Sequence, residues 1–298
     1  MAKRIKVIDV ELSHPLADIA NVEGYEALQC LLRLHDVPIG YVKISLTDGG
    51  CPEVVLGDAI LEQHGDTLRR LLSGGERTSS DHVGRIRLAD FTHVKPPVYR
   101  TPDIPITVAV CTRDHPSELS HCLESLSELS YPALDLLVVD NAPSSDAAER
   151  LVRANFPNMR YVCEPRPGLN WARNRTIVEA QGEIIAFTDD DVVADTQWIS
   201  ALAATFAKNT EVMAVTGLVV PLELETEAQI FFEEYGGFGC WFERKCYCAD
   251  GEMNEHTTSC YAQMVECGTG ANMAYRRSVF EQIGLFDPAL DVGTVTNG

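Results

Sequence analysis

From Pro105 onward the chain alternates short, continuous apolar runs with longer segments whose apolar residues recur at helical spacing. Ile106–Cys111, Leu134–Val139, Met159–Cys163 and Glu183–Phe187 are the apolar runs, and each predicts a buried strand. The segment opening at Pro116 sets Leu119, Cys122, Leu123, Leu126 and Leu129 on one face, which predicts a helix with proline in its first turn. Ser144–Phe156 and Trp171–Ala180 read as further helices, the second ended by Gly182. Asp195–Phe206 reads as another, capped by Asp195, with Ile199, Leu202, Ala203 and Phe206 inward. Val212–Val220 predicts a fifth strand. Such alternation implies an α/β fold, with a mainly parallel sheet covered by helices on both faces.

The first 73 residues follow a different rhythm. Leu28, Cys30, Leu32 and Leu34 alternate with polar or small residues, and Val42, Ile44 and Leu46 do so again beyond Pro38. Two period-two runs around a proline-containing turn predict a β-hairpin, and Ile5-Lys6-Val7 is a short strand-like run. Asp58–Leu72 reads as a helix stopped by Gly74-Gly75. Residues 74–104, rich in Ser, Pro and charge, read as a linker. The expected organisation is therefore a small α+β module over 1–73, a linker over 74–104 and a large α/β domain over 105–298.

Charge and composition narrow the partners. A net charge of −20 over 298 residues repels nucleic-acid phosphates and anionic lipid. No stretch approaches the roughly 18 apolar residues that span a bilayer, and no basic-then-apolar leader opens the chain. A soluble, cytoplasmic protein with reduced thiols is expected. Cys30, Cys51, Cys111, Cys122 and Cys163 fall among apolar positions and read as small buried hydrophobes. Cys240, Cys246, Cys248, Cys260 and Cys267, with His256 between them, have spacing that permits tetrahedral zinc. They lack the paired Cys-x₂-Cys of a zinc module, so they read as a variable loop. Phe231–Phe238 reads as a helix end and core, with a sugar-stacking aromatic as the alternative.

Chemistry gathers where the strands end. In open α/β sheets, ligands collect beyond the carboxyl ends of the strands. Those ends carry Thr112-Arg113-Asp114, Asp140-Asn141 and Asp189-Asp190-Asp191. Asp114 and Asn141 could equally be helix caps. The aspartate triplet directly follows a buried strand, where three carboxylates are costly unless a cation neutralises them. Oxygen ligands favour Mg²⁺ or Mn²⁺, which keep positions open for phosphate oxygens. Opposite in sign is Arg166-Pro167-Gly168-Leu169-Asn170-Trp171-Ala172-Arg173-Asn174-Arg175, which places Arg173 in a helix's first turn, where free N–H groups favour anions. Arg175 reads as a solvent-facing salt-bridge partner.

Taken in order, Val108–Arg113, Leu137–Asn141, Pro167–Asn174, Ala186–Asp191, Gly268–Arg277 and Gly284–Asp287 resemble the successive signatures of family 2 glycosyltransferases, over roughly residues 105–298. The resemblance implies a GT-A fold, a nucleoside-diphosphate sugar donor (by default a UDP-sugar) and inversion at the anomeric carbon. It further implies that Thr112 and Arg113 line the nucleotide pocket and that Asp140 accepts from the base's ring N–H. Arg173 would lie near base or phosphates, Asp189 and Asp190 beside the nucleotide, and Asp189 and Asp191 at the metal. Gly270, Ala271 and Asn272 would lie under the donor sugar and the acceptor, which could be a saccharide, a lipid-linked molecule or a small molecule. The same pattern places the general base beyond Gly298, so that residues 1–298 alone are expected to bind a donor without transferring the sugar.

Two other readings compete. A nucleotidyltransferase would need a glycine-rich basic loop after the first strand, and Thr112-Arg113-Asp114-His115-Pro116 contains no glycine. A non-catalytic nucleotide-sugar-binding scaffold would use the amino-terminal module to recruit partners.

Overall fold

The computed structural model describes residues 4–46, 49–72, 87–96, 102–238, 242, 244–246 and 268–291. The chain divides into two compact units, Met1–Val98 with Val220–Glu252, and Tyr99–Val219 with Met253–Gly298. Residues 220–252, which the sequence assigns to the large domain, group with the amino-terminal unit.

In that first unit, β1 (Ile5–Glu11), β2 (Ala27–Leu34) and β3 (Val37–Ser45) form one sheet. β2 and β3 pair antiparallel, as the alternation predicts, while β1 lies parallel to β2. Leu28, Cys30 and Leu32 pack with Leu56, Ile60 and Leu68 of α1 (Glu53–Leu72) in one core. The helix begins five residues earlier than expected, directly after Pro52, because a proline cannot continue a helix backwards but tolerates the position before its start. Part of the supposed linker belongs to this core: Leu88–His93 is a 3₁₀ turn whose Phe91 is fully buried. Further along the chain, Ile5 and Leu224 form an isolated bridge, and Ile230 of α6 (Glu227–Glu234) packs beside them. Phe231, Phe232, Tyr235 and Phe238 are exposed, Tyr235 at 97%, so the core reading of this run is wrong. Two turns of helix can turn only a narrow stripe inward, and Ile230 occupies it.

The second unit carries β4 (Ile106–Thr112), β5 (Leu134–Asn141), β6 (Arg160–Glu164), β7 (Ile184–Asp189), β8 (Ala214–Thr216) and β9 (Met273–Arg276), in the spatial order β6-β5-β4-β7-β9-β8. The first four run parallel. β9 pairs antiparallel with both β7 and β8. The α/β, mainly parallel sheet is as expected. The fifth strand is not: of Val212–Val220 only three residues pair, and they do so antiparallel to β9, with Gly217 and Pro221 following.

Period two explains how both faces are covered. Val108, Val110, Val138, Ile184 and Ala186 meet α2 (Pro116–Ser127), α3 (Ala147–Asn155) and α5 (Trp198–Lys208) in one core. The intervening Ala109, Leu137, Val139, Ile185 and Phe187 meet α4 (Leu169–Glu179) and α7 (Ser278–Ile283) on the other face, through Ala172, Ile177 and Phe280. α5 starts at Trp198, not Asp195. Asp195 instead accepts from Gln197 N–H at 2.8 Å, closing the turn before the helix. Cys163 is exposed on β6, against expectation, since β6 is an edge strand among the described residues. Among the described residues no helix is long and apolar enough to cross a membrane.

Candidate functional site

The chain forms β4 first, then β5 and β6 to one side and β7 to the other, so the crevice between β4 and β7 is a topological switch point. Register brings the predicted residues to one rim: Thr112 lies across from Asp140, and Cys111 across from Asp189. Thr112 Oγ1 donates to Asp190 Oδ2 at 2.6 Å, a bond that spans the switch point. His115 Nδ1 lies 3.5 Å from the same oxygen. Arg113 is exposed, and its charge helps hold Asp114 below the usual carboxylate range, after the larger effect of Ser144's two hydrogen bonds.

Asp189 faces the α4 side. Burial pushes its carboxyl above the ordinary range; Arg173 opposes that, and Asp191 and Asp190 add to it. Its side chain accepts no hydrogen bond among the described residues, whereas Asp191 stands exposed. The triplet therefore presents net negative charge at the tip of β7, opposed in part by Arg173. No group of three metal-ligating side chains converges among the described residues. Asp189 and Asp191 can supply one or two oxygens, which suits Mg²⁺ or Mn²⁺ completed by phosphate oxygens better than a closed protein cage.

Arg173 reaches toward this tip from α4, with Nη1 3.3 Å from Asn170 Oδ1 and the guanidinium 5.7 Å from the Phe286 ring centroid. It passes so close to Gly270 that any Cβ there would overlap Nη2. Gly270–Asn272 is a 3₁₀ turn capped by Thr269, with Ala271 buried. Asn272 accepts from Trp198 Nε1 at 2.9 Å and donates to Leu218 O at 3.0 Å, so it ties α5 to the segment after β8. Arg175 pairs with Glu179 at 2.8 Å, the structural role expected of it.

Neither residue left open as a helix cap is one, and the start of α4 departs from expectation. Asp114 caps no helix; at φ 58° it accepts from Ser144 N–H and Oγ, both 2.8 Å, and clasps the β5–α3 loop. Asn141 caps none either: buried, it donates to Arg166 O and accepts from Gly168 N–H, both 2.8 Å, and so holds the β6–α4 loop. The start of α4 is not an open anion site, because buried Asp291 accepts from Asn170 N–H at 2.9 Å. Gly168, at φ 132°, leaves room for that carboxylate where a Cβ would not. The chain's own aspartate thus takes the place that a phosphate would fill.

Asp140 lies buried at the end of β5 and lines a small pocket with Asp114, Pro116, Pro143, Ser144 and Ala147. Tyr161 O–H donates to its Oδ2 at 2.8 Å, while Oδ1 is buried without a partner among the described residues. Burial pushes this carboxyl up, against the Tyr161 bond, with Asp114 and Glu149 adding to the rise. Tyr161 escaped the sequence reading. A signal existed: it pairs in register with Val138, on Asp140's face, and a phenol reaches the next inward position along the strand. The predicted cysteine cluster lies almost wholly outside the described residues; Cys246 is described, and exposed.

Rim, switch point and facing arginine belong to an open α/β domain, a class of fold that gathers ligands beyond the carboxyl ends of its parallel strands. A family model for glycosyl transferase family 2 matches residues 107–284, and the chain belongs to that family. The chain is 27% identical over 189 residues to a glucosyl-dolichyl phosphate glucuronosyltransferase of Haloferax volcanii, covering 61% of this chain and 56% of that protein. It is 34% identical over 120 residues to the succinoglycan biosynthesis protein ExoM of Rhizobium meliloti, 38% of each chain. A solved mannosyltransferase of Pyrobaculum calidifontis, in complex with GDP-Man and Mn²⁺, aligns at 20% identity and a TM-score of 0.44, covering 63% of this chain and 49% of that one. The chain thus spans about half or less of the length of these curated relatives.

Proposed function

We propose that this protein moves a sugar from a nucleoside-diphosphate donor, a UDP-sugar, to an acceptor with inversion, assisted by Mg²⁺ or Mn²⁺. The observation that carries the reading is the charge deficit at the β7 tip: Asp189, desolvated, sits beside two further aspartates and faces Arg173. A cation would relieve such a cluster, and Asp189 and Asp191 would hold it beside the crevice where a donor diphosphate would bind.

Each residue then has a task. Asp140 accepts from the base. Thr112 fixes Asp190, keeping that carboxylate at the nucleotide side of the crevice. Asp189 and Asp191 would hold the ion, which would supply electrostatic stabilisation to the leaving diphosphate. Arg173, given room by Gly270, adds a fixed positive charge on the α4 side. Ala271 and Asn272, anchored by Trp198, shape the floor of the sugar and acceptor side. A single displacement with inversion also needs a general base for the acceptor hydroxyl. Asp291 is not assigned that role, since it is buried and engaged by Asn170 N–H.

Thermal unfolding tests the reading. UDP should stabilise the protein only when Mn²⁺ or Mg²⁺ is present, by roughly 2–3 kcal/mol at about a hundredfold excess over Kd. Asp191→Ala should abolish that gain. An unchanged melting temperature with uridine, guanosine and thymidine diphosphates, each with metal, refutes the proposal.

A further inference from the structure

Arg173 is held differently from the other half-buried arginines of its unit. Arg160, Arg166, Arg175 and Arg276 each pair with a carboxylate at 2.7–2.9 Å. Arg173 pairs with none among the described residues: Nη1 meets the amide oxygen of Asn170 at 3.3 Å, and the guanidinium lies 5.7 Å from the Phe286 ring centroid. Both partners are neutral, so they confine the group without pairing its charge. The ring is itself fixed through its backbone. Asn174 Nδ2 donates to Phe286 O at 2.8 Å, and Asn174 Oδ1 accepts from Phe286 N–H at 2.9 Å, so one buried amide clasps both polar groups of that residue's main chain. One turn earlier on α4, Asn170 Nδ2 donates to Asp287 O at 3.0 Å. Phe187, Tyr275 and Phe280 surround the Phe286 ring, at 5.7–6.3 Å between centroids.

We infer that Asn174 is a positioning residue for the donor: by clasping Phe286 it keeps Arg173 confined beside the β7 tip with its charge unpaired. The inference rests on the reading above that the donor binds at that tip. An arginine has many rotamers to lose on meeting a ligand, and one already confined loses fewer. Confinement also keeps it off Asp189, whose carboxyl senses its charge. Freed from the ring, the guanidinium would be drawn into a direct pair with that carboxylate, and both charges would be spent on each other rather than on ion and diphosphate. Asn174 is buried and works through Phe286 and Arg173, with no part in holding the donor itself.

A double-mutant cycle, read by isothermal titration of the 298-residue chain with UDP in Mn²⁺, separates this role from a purely structural clasp. Arg173→Ala should weaken UDP binding by about tenfold or more, and Asn174→Ala by about threefold to tenfold. In the Arg173→Ala background, Asn174→Ala should cost no more than about twofold, because the group it positions is gone. Equal costs in both backgrounds, or no cost in either, would make Asn174 a part of the fold alone. Two further arms do not require Asn174→Ala to fold. Phe286→Leu keeps the backbone clasp and removes the ring, and should weaken UDP by about threefold. On the unaltered protein, linkage is reciprocal, so UDP with Mn²⁺ should slow hydrogen exchange at the Phe286 amide by about threefold to tenfold. Unchanged affinity in the first or unchanged exchange in the second overturns the inference while leaving donor binding intact. If UDP does not bind the unaltered protein with metal, the donor reading itself falls, and this inference with it.

Discussion

Strand β5 carries a carboxylate near each end, and the two are treated differently. At its start, burial would raise Asp135, but two 2.8 Å bonds from Arg160 and one of 2.7 Å from Thr107 hold it below the usual range. Five residues on, Asp140 receives one phenol and is pushed up. The contrast extends along both rims. At the amino rim Arg160 also binds Glu179 O, and Arg276 binds Glu183, Phe206 O and Val212 O. At the carboxyl rim Asp189 is raised beside Asp190 and Asp191. One rim is a closed network that holds the sheet together; the other keeps charge in deficit, which is what a site for a cation and a donor needs.

The sharpest way to break that comparison is Arg160→Ala. It leaves Asp135 half-buried with Thr107 as its remaining side-chain partner, and removing one member of such a pair strands the other's charge. Urea unfolding at neutral pH should show a loss of about 2–3 kcal/mol, with metal-dependent UDP binding unchanged in the folded fraction. The sign with pH follows from the depressed carboxyl. Its contribution is present above the unfolded pKa and is lost as pH falls through the folded one, so the variant and the parent should converge in acid. A loss below about 0.5 kcal/mol would mean that the amino rim is no more settled than an exposed ion pair.

Asp189→Asn should move the other way. A carboxyl raised by burial and like charges binds its proton more tightly in the folded state. The native protein therefore loses stability as pH rises from the ordinary carboxylate range through the folded pKa. The amide escapes that loss, and at neutral pH without metal the variant should be about 1 kcal/mol more stable while losing metal-dependent nucleotide binding. Melting temperature against pH, with and without Mn²⁺ and UDP, reads both effects. A variant less stable than the parent at neutral pH would show that Asp189 is satisfied after all.

How much of this was legible in the sequence depends on whether a residue acts through its own strand or through a distant partner. Continuous apolar runs and Pro116 placed four parallel strands and their helices, and the strand ends brought Thr112, Asp140 and Asp189 to one rim. Asp114, Asn141 and Asp291 were not legible. Each works across 25 residues or more, holding Ser144, the 166–168 loop and the start of α4, and no local pattern distinguishes such a clasp from a cap. β8 was overread because Val212–Val220 has strand composition, although an edge position gives it one neighbour. Residues 220–252 joined the first unit through pairings such as Ile5 with Leu224, a separation that periodicity cannot see.

The smallest effect tests the seam between the rim's two halves. Thr112→Val keeps the shape of a buried side chain and removes one hydroxyl, whose bond to Asp190 Oδ2 crosses the switch point. A bond to a carboxylate exceeds an ordinary hydrogen bond, yet Asp190 is partly exposed and can turn to water or to His115 nearby. The stability cost should therefore stay near 1 kcal/mol or below, measured by urea unfolding. UDP affinity with Mn²⁺ should fall by about threefold to tenfold, because Asp190 is no longer fixed when the nucleotide arrives. If stability falls as predicted and affinity does not, Thr112 serves the fold alone, and the carboxyl rim has one settled member after all.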